Sequence, residues 1–502
     1  MSETRERIVE VARARATIAP AVLSALEAQN ARWGASAARR ASLDALARGA
    51  VVVVTGQQLG LCLGPLYTLW KTVSTIRLAR QLSAQGIEAV PLFWMQTEDH
   101  DWDEIRTVRW LGAEGLREAS LAERGASRAR TSIAHERLGA EIDAVLEALD
   151  LRHTEHGAWL HALLAEHHRP GASLPDAFGA VLTTLFELYG LLTLQPRDAA
   201  FAALAAPIHR RALEAHETIT ARLIADAARL EAAGKRVPIP VRSDCALSFF
   251  HPEGPEGPRY RLAPRGDGFA LSGATHTLSR DALFAQVEGS PLALSTSALL
   301  RPALQDHLLP TAAYVGGPSE VAYAAQLPPI YEALGLTMAP YVRRASYVVT
   351  SAEDREALAA LDLSLDDLRR DDESTLVQRL GRGPLSEELE RLRATVRDGL
   401  ASARAGLEAI DPGLGKSTTK AEESIEHTLA KLQSRAERAN AARQNTRITT
   451  LRRVIAALRP GGAPQERVHA LPSLAHLDVR RVIAAAIERE PGTEGAEEEI
   501  AL

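Results

Sequence analysis

Val51-Val52-Val53-Val54-Thr55-Gly56-Gln57-Gln58-Leu59-Gly60, with Leu63-Gly64-Pro65-Leu66-Tyr67 close behind, opens the stretch that decides the fold. Four consecutive valines read as a strand buried on both faces. The glycine-rich turn leads into a helix. A second hydrophobic run, Ala89-Val90-Pro91-Leu92-Phe93-Trp94-Met95, then stops at Thr97-Glu98-Asp99-His100-Asp101-Trp102-Asp103-Glu104. Strand, helix and strand make a βαβ unit of a doubly wound α/β sheet, where ligands sit beyond the carboxyl ends of the strands. The polar residues that follow each strand are therefore the first candidates for a site.

The same pattern returns downstream. Thr311-Ala312-Ala313-Tyr314-Val315 runs into Gly316-Gly317-Pro318-Ser319-Glu320 and another helix, and a further strand is expected from Tyr341 to Val349. Residues 137–235 read as helices, broken at Arg169-Pro170-Gly171, with one short strand candidate from Gly190 to Pro196. The Pro- and Gly-rich segment from Val237 to Thr277 reads as an antiparallel insertion. Beyond Pro384, Leu385, Leu389, Leu392, Val396, Gly399, Ala403, Leu407 and Ile410 recur largely in steps of four and three. After Asp411-Pro412-Gly413-Leu414-Gly415, so do Ile425, Leu429, Leu432, Ala436 and Ala439. Such spacing, with charges between, predicts a coiled-coil seam folded at the Pro-Gly break into an antiparallel hairpin of 385–410 and 416–455. Its apolar positions call for cover, so dimerisation or docking on the core is expected. Gly413-Leu414-Gly415-Lys416-Ser417 has a P-loop look, but the position five before Gly415 is Ile410, so it reads as the turn of the hairpin. The tail from Glu494 to Leu502 is acidic and is expected to fray. The expected division is 1–136 and 291–380 for the two halves of the core, 137–290 for connecting inserts, 381–456 for the hairpin, and 457–502 for a segment docking back on the core.

Composition narrows the function. A net charge of −6 gives no support to a nucleic-acid or membrane-surface partner, and 4% aromatics argue against a base-stacking surface. With two cysteines, Cys62 and Cys245, neither a disulfide framework nor a Cys-built zinc site is available. The charged N-terminus lacks an apolar signal core, and no apolar run nears the roughly 20 residues that span a bilayer. A cytoplasmic enzyme or ligand binder is expected.

Three motifs carry the chemistry. Gly56, Gly60 and Gly64 shape a loop able to present backbone N–H groups, Pro65 suits a first helical position, and Lys71 could add charge to a phosphate or carboxylate held there. A tight strand–helix turn is the plainer reading, but the adjacent amides Gln57 and Gln58 exceed what a turn needs. Glu98 to Glu104 places five carboxylates around His100, a costly density unless it meets a ligand, a metal or cations. His100 could act as a base, and amid those carboxylates it is expected to favour its protonated form unless a cation offsets their field. No second cluster with ligand spacing appears, so no metal ligands are assigned. Gly316, Gly317 and Glu320, then Tyr323 and Gln326 on one helix face, repeat the strand-loop-helix arrangement, with Arg301 upstream suited to a carboxylate.

Together these motifs resemble a known family. Thr55-Gly56-Gln57-Gln58-x-Gly60-Leu61, Gly64-Pro65-x-Tyr67-Thr68, Lys71, Glu98-Asp99-His100-Asp101-x-Asp103-Glu104, Arg301-Pro302, Gly317-Pro318-x-Glu320-x-x-Tyr323-x-x-Gln326 and Pro464-Gln465-Glu466-Arg467-Val468 resemble the bacillithiol biosynthesis cysteine-adding enzymes. Ser297 stands where that pattern has Asn. The resemblance implies an α/β, Rossmann-like parallel-sheet core of the class I aminoacyl-tRNA synthetase type, with connecting inserts and a coiled-coil hairpin that supports a homodimer. It implies a ligase that joins cysteine to glucosaminyl malate through an amide bond, giving bacillithiol. ATP is the expected activating cosubstrate. Lys71, Asp99 and His100 are the candidate catalytic residues. Gly56, Gln57, Gln58, Gly64, Pro65, Tyr67, Glu98, Asp103, Arg301, Gly316, Gly317, Glu320, Tyr323 and Gln326 are candidates for binding. The rival readings are a nucleotidyltransferase of the same fold acting on another small acid, and a scaffold whose coiled coil is the working part.

Overall fold

In the computed structural model, which describes residues 3–382, 384–443, 445–489 and 495–502, the four valines lie at the centre of a parallel sheet. The sheet has five strands: β1 (Val51–Gln57), β2 (Ala89–Met95), β3 (Leu192–Leu194), β4 (Thr311–Gly316) and β5 (Tyr341–Arg343), in the order β5-β4-β1-β2-β3. All neighbours are parallel, and β1 pairs with β2 in register from Val51↔Ala89 to Gln57↔Met95. Every residue of β4, and all of β1 but Gln57, is buried, as strands covered on both faces must be. The chain leaves β1 toward β2 on one side and later returns to β4 on the other. The β1/β4 boundary is therefore the switch point, where an open α/β sheet has its ligand crevice.

Gln29 and Asn30, at the end of helix α1 (Pro20–Asn30), close the β3 edge. Asn30 Nδ2 donates to Thr193 O while Thr193 N–H donates to Asn30 Oδ1, and Gln29 makes the same pair of bonds with Gln195. Two amide side chains thus satisfy an edge that would otherwise leave buried backbone groups unpaired. The residues between β3 and β4 form helices and a five-stranded sheet that includes Ser248–Phe250, Tyr260–Arg265, Gly268–Leu271, Thr277–Ser279 and Leu294–Thr296, antiparallel as expected for the Pro/Gly-rich insertion.

Three expectations are corrected. The strand expected from Tyr341 to Val349 is two strands: Tyr341–Arg343 joins the parallel sheet, and Ser346–Thr350 pairs with Glu497–Ala501. The last residues are consequently a strand and not a frayed tail, anchored by the buried Ile500, while Glu494 lies outside the described residues. Pro65 precedes helix α2 (Tyr67–Ala84) by two residues instead of opening it, and bridges to Ala470.

The chain divides into two compact units, 1–112, 117–348 and 466–500 in the first, and 113–116, 349–465 and 501–502 in the second. The second contains α4 (Pro384–Ile410) and α5 (Pro412–Arg443), the expected hairpin, with α3 (Pro318–Ala324) belonging to the first. Gly413 to Ser417 is the first turn of α5, so the hairpin folds at Asp411 alone. Its seam differs from the expectation: Leu392, Ile410, Ile425 and Leu432 are exposed, at 46, 78, 36 and 50%. Gly415, Thr418, Gln433 and Glu437 are buried instead, and polar bonds cross the hairpin from Arg393 to Glu426 and Gln433 and from Gln433 to Glu390. Periodicity found the stripe, but helix rotation turned much of it to solvent.

Replacing Asn30 with Ala leaves the Thr193 amide and carbonyl unpaired at the sheet edge. The expected cost is about 1–3 kcal/mol in denaturant unfolding. An unchanged midpoint would show that β3 needs no cap.

Candidate active site

A cavity of about 400 Å³ opens at the carboxyl ends of the parallel strands. Gln57 ends β1 and Gln58 follows it, Gln96, Glu98 and Asp99 follow β2, Gly317 to Glu320 follow β4, and Arg344 follows β5. The three motif loops meet there, at the switch point. Gly56 is required for this convergence, because a Cβ on it would lie 2.7 Å from the Trp94 carbonyl oxygen.

Behind the wall, Lys71 is buried and its ammonium meets three acceptors: Gly56 O at 2.9 Å, Gln57 Oε1 at 2.8 Å, and the Glu320 carboxylate. Glu320 in turn accepts from the Gly317 N–H and the Tyr314 hydroxyl, capping its own helix α3. Burial alone would raise the Glu320 carboxyl, but Lys71 and Arg301 hold it below its ordinary value. Arg301 donates to the Tyr314 and Tyr323 hydroxyls, and burial drives the Tyr323 phenol up to about 12. Lys71, Glu320, Arg301, Tyr314 and Tyr323 are thus a closed buried network. Lys71 has no proton left for a ligand and acts as a frame for the site.

The acidic wall is organised by Arg259, which the sequence reading missed. Its guanidinium donates to Glu98 O at 2.5 Å, His100 Nδ1 at 2.9 Å and Asp99 Oδ1 at 3.3 Å, and lies 4.1 Å over the Phe249 ring. Burial would raise the Asp99 carboxyl, but its bond with His100 and the charge of Arg259 hold it at about 2. The cation that offsets the acidic field is therefore part of the fold. His100 Nδ1 lies 2.9 Å from Arg259 Nε and 3.5 Å from Asp99 Oδ1, so the imidazole is held between the guanidinium and the carboxylate. Glu98 is held by the Thr296 amide and hydroxyl. Gln58 donates to Asp99 at 3.0 Å and Glu104 at 2.9 Å.

Of the expected site residues, Gln57, Gln58, Tyr67, Lys71, Glu98, Asp99, Arg301, Gly317, Glu320 and Tyr323 line the cavity. The others do not. Gly64 and Pro65 belong to a packed turn outside the cavity, in which the Gly60, Gly64 and Leu66 amides bond to the Gln58, Leu61 and His469 carbonyls. Close packing explains its glycines: a Cβ on Gly60 would sit 2.6 Å from Gly64 Cα. Asp103 is exposed and pairs with Arg106, and Gln326 clamps both backbone groups of Ile239. Gly316 ends β4, Gly56 offers only its carbonyl, and His100 stands behind Arg259. The reading also missed Trp94, Glu104, Thr296, Ser297, Arg344 and Arg467. The last two carried a signal, since Arg467 belongs to the Pro464–Val468 motif and Arg344 binds its neighbour Glu466 with both guanidinium arms. Burial pushes the Cys62 thiol up to about 12, which rules it out as a nucleophile at neutral pH. Among the described residues, no group of three His, Cys, Asp or Glu side chains is placed to hold a metal ion. No helix in them is long and apolar enough to cross a membrane.

A parallel Rossmann-like sheet with a polar cavity at its switch point defines a protein that handles small charged molecules. Residues 2–345 match the family described as "Bacillithiol biosynthesis BshC, N-terminal Rossmann-like domain", and residues 348–475 match its C-terminal coiled-coil domain. Relatives named "Putative cysteine ligase BshC" occur in Koribacter versatilis and Salinibacter ruber. The first is 32% identical over 89% of this chain and 83% of its own length, the second 32% over 88% and 81%. The chain belongs to the bacillithiol biosynthesis BshC family. A solved chain titled "Crystal structure of putative arginyl t-RNA synthetase", from Campylobacter jejuni, covers 86% of this chain and 98% of its own at 8% identity, but its TM-score of 0.23 supports no argument.

Asp99 gives the site a pH signature. A carboxyl at about 2 in the fold against ~3.9 unfolded stabilises the protein above pH ~4 and loses that contribution as pH falls toward 2, at most roughly 2.6 kcal/mol. Arg259→Met should move the Asp99 titration upward in a carboxyl NMR experiment. A titration that stays at about 2 would show that Arg259 does not set it.

Proposed function

We propose that this chain is a cytoplasmic ligase that joins the carboxylate of cysteine to the amine of glucosaminyl malate, the step that forms bacillithiol. One observation carries the reading: the family's motifs, distant in sequence, line one cavity of about 400 Å³ at the switch point. That space suits a small amino acid and a sugar acid. The carboxylates on the β2 side favour an ammonium, and Arg467 favours an acid.

A free carboxylate and an amine do not form an amide at a useful rate, so the carboxylate must be activated, and ATP is the cosubstrate we assign to that task. The Gly60–Pro65 turn does not line the cavity, so it is not assigned as the phosphate cradle. In this reading the residues have the following roles. Lys71, Glu320 and Arg301 form the rigid floor. Asp99, oriented by Arg259 and Gln58, helps gather the amine, and His100 supports that wall from behind Arg259. Purified protein given cysteine, glucosaminyl malate and ATP should yield bacillithiol by mass spectrometry, with serine or alanine giving far less product. Equal products from all three amino acids would defeat the cysteine assignment.

The hairpin supports a homodimer. Leu392 on α4, with Ile425 and Leu432 seven apart on α5, leaves an apolar stripe in water, and a second copy is the occupant we assign to it. Sedimentation at micromolar concentration should show a dimer that Ile425→Glu with Leu432→Glu converts to a monomer. A wild-type monomer would remove the dimer from this reading.

A further inference from the structure

The charged groups lining the cavity differ in whether the fold already partners them. Four of the five cations are committed: Lys71 to Glu320, Gly56 and Gln57; Arg259 to Asp99, Glu98 and His100; Arg301 to two tyrosines; Arg344 to Glu466 and Ala345. Arg467 alone has no hydrogen-bond or ion-pair partner among the described residues. The carboxylates divide the same way. Glu98 is held by Thr296, Asp99 by Arg259, and Glu320 by Lys71, whereas Glu104 receives only the neutral Gln58 amide at its side chain.

Both lone charges stand on fixed supports. Glu466, next to Arg467, makes two bonds to Arg344 of 2.6 and 2.8 Å in a pair with both side chains buried. Glu104 is tied through Gln58 to Asp99. Tyr67 feels both. Burial pushes its phenol up to about 12, with Glu104 adding to the rise and Arg344 and Arg467 opposing it. The cavity wall also holds Trp94, fully buried, whose indole N–H has no acceptor. A built cavity with an anion met only by a neutral amide, an unpartnered cation, an unmatched donor at Trp94 and an unmatched acceptor at Gln58 Oε1 is arranged for a molecule that carries both signs of charge.

We propose that Glu104 and Arg467 hold the two charged ends of the amine acceptor, the ammonium at Glu104 and the carboxylates at Arg467. This rests on the amide-forming reading above and assigns the acceptor's orientation within it. The local charges agree. Partial burial, Asp101 and Asp99 raise the Glu104 carboxyl while Lys71 opposes them, and an ammonium bound beside it would relieve that repulsion. Both side chains stand at the exposed rim, where a substrate arriving from water meets them first. Malate's two carboxylates can engage the planar guanidinium through paired hydrogen bonds, a geometry lysine cannot copy.

The test compares two acceptors, glucosaminyl malate and methyl glucosaminide, which keeps the amine and lacks the carboxylates. Arg467→Gln should raise KM for glucosaminyl malate by about tenfold to a hundredfold. It should leave KM for methyl glucosaminide, cysteine and ATP unchanged. Glu104→Gln should weaken both acceptors, and Arg467→Lys should recover only part of the loss. Equal losses on both acceptors in Arg467→Gln, or a rise in KM for cysteine or ATP instead, would overturn the assignment. If the wild-type protein forms no amide at all, the ligase reading fails separately. Calorimetric binding of the two acceptors to wild type and Arg467→Gln then still decides whether this pair of charges selects the carboxylated one.

Discussion

The buried pair between Lys71 and Glu320 is the contact on which the site depends. It joins helix α2, which follows β1, to helix α3, which follows β4, across the boundary where the sheet changes direction. Two charges removed from water are costly, and this pair persists because every remaining valence is satisfied: Gly56 and Gln57 on the ammonium, Gly317 and Tyr314 on the carboxylate. Such a network contributes little net stability over an apolar replacement of equal volume. Its effect is geometric. It fixes the ends of β1 and β4 relative to each other, so the amides of Gln57 and Gln58 and the start of α3 face one space.

A second network, around Arg259, does the same for the carboxylate-rich loop after β2. One guanidinium reaching Glu98, Asp99 and His100 converts a stretch that would repel itself into an ordered wall. It comes from the Pro- and Gly-rich insertion, at the residue before the strand Tyr260–Arg265, where Phe249 stacks beneath it. The insertion is therefore part of the site. The contrast between these saturated networks and Glu104, met only by a neutral amide, and Arg467, with no partner among the described residues, separates residues that build the cavity from residues that face its contents.

The hairpin follows a different rule. Polar bonds cross between its helices, while Leu392, Ile410, Ile425 and Leu432 point to water. A helix pair built only for its own stability would bury the leucines between its members. Placing charge-bridged polar residues there sets register at the cost of stability, as polar positions in coiled coils do.

The sequence by itself determined the sheet and where its ligand end lies. A four-valine run, a glycine turn and a second hydrophobic strand are local signals, and the carboxyl ends of parallel strands follow from the handed βαβ connection. It also determined most of the floor, because Gln57, Lys71, Glu98, Asp99 and Glu320 are close in sequence to the strands that position them. Only the tertiary structure decided which of these charges are free. Lys71 looks like a catalytic cation in the sequence and is a saturated strut in the fold, because Glu320, nearly two hundred and fifty residues away, consumes its charge. His100 looks like a base amid acids, and Arg259, a distant residue in the Pro- and Gly-rich insertion, takes up one of its ring nitrogens. Periodicity likewise located the apolar stripe of the hairpin but not its rotation, which depends on the partner helix. Partnering of charges is a long-range property, and no local pattern encodes it.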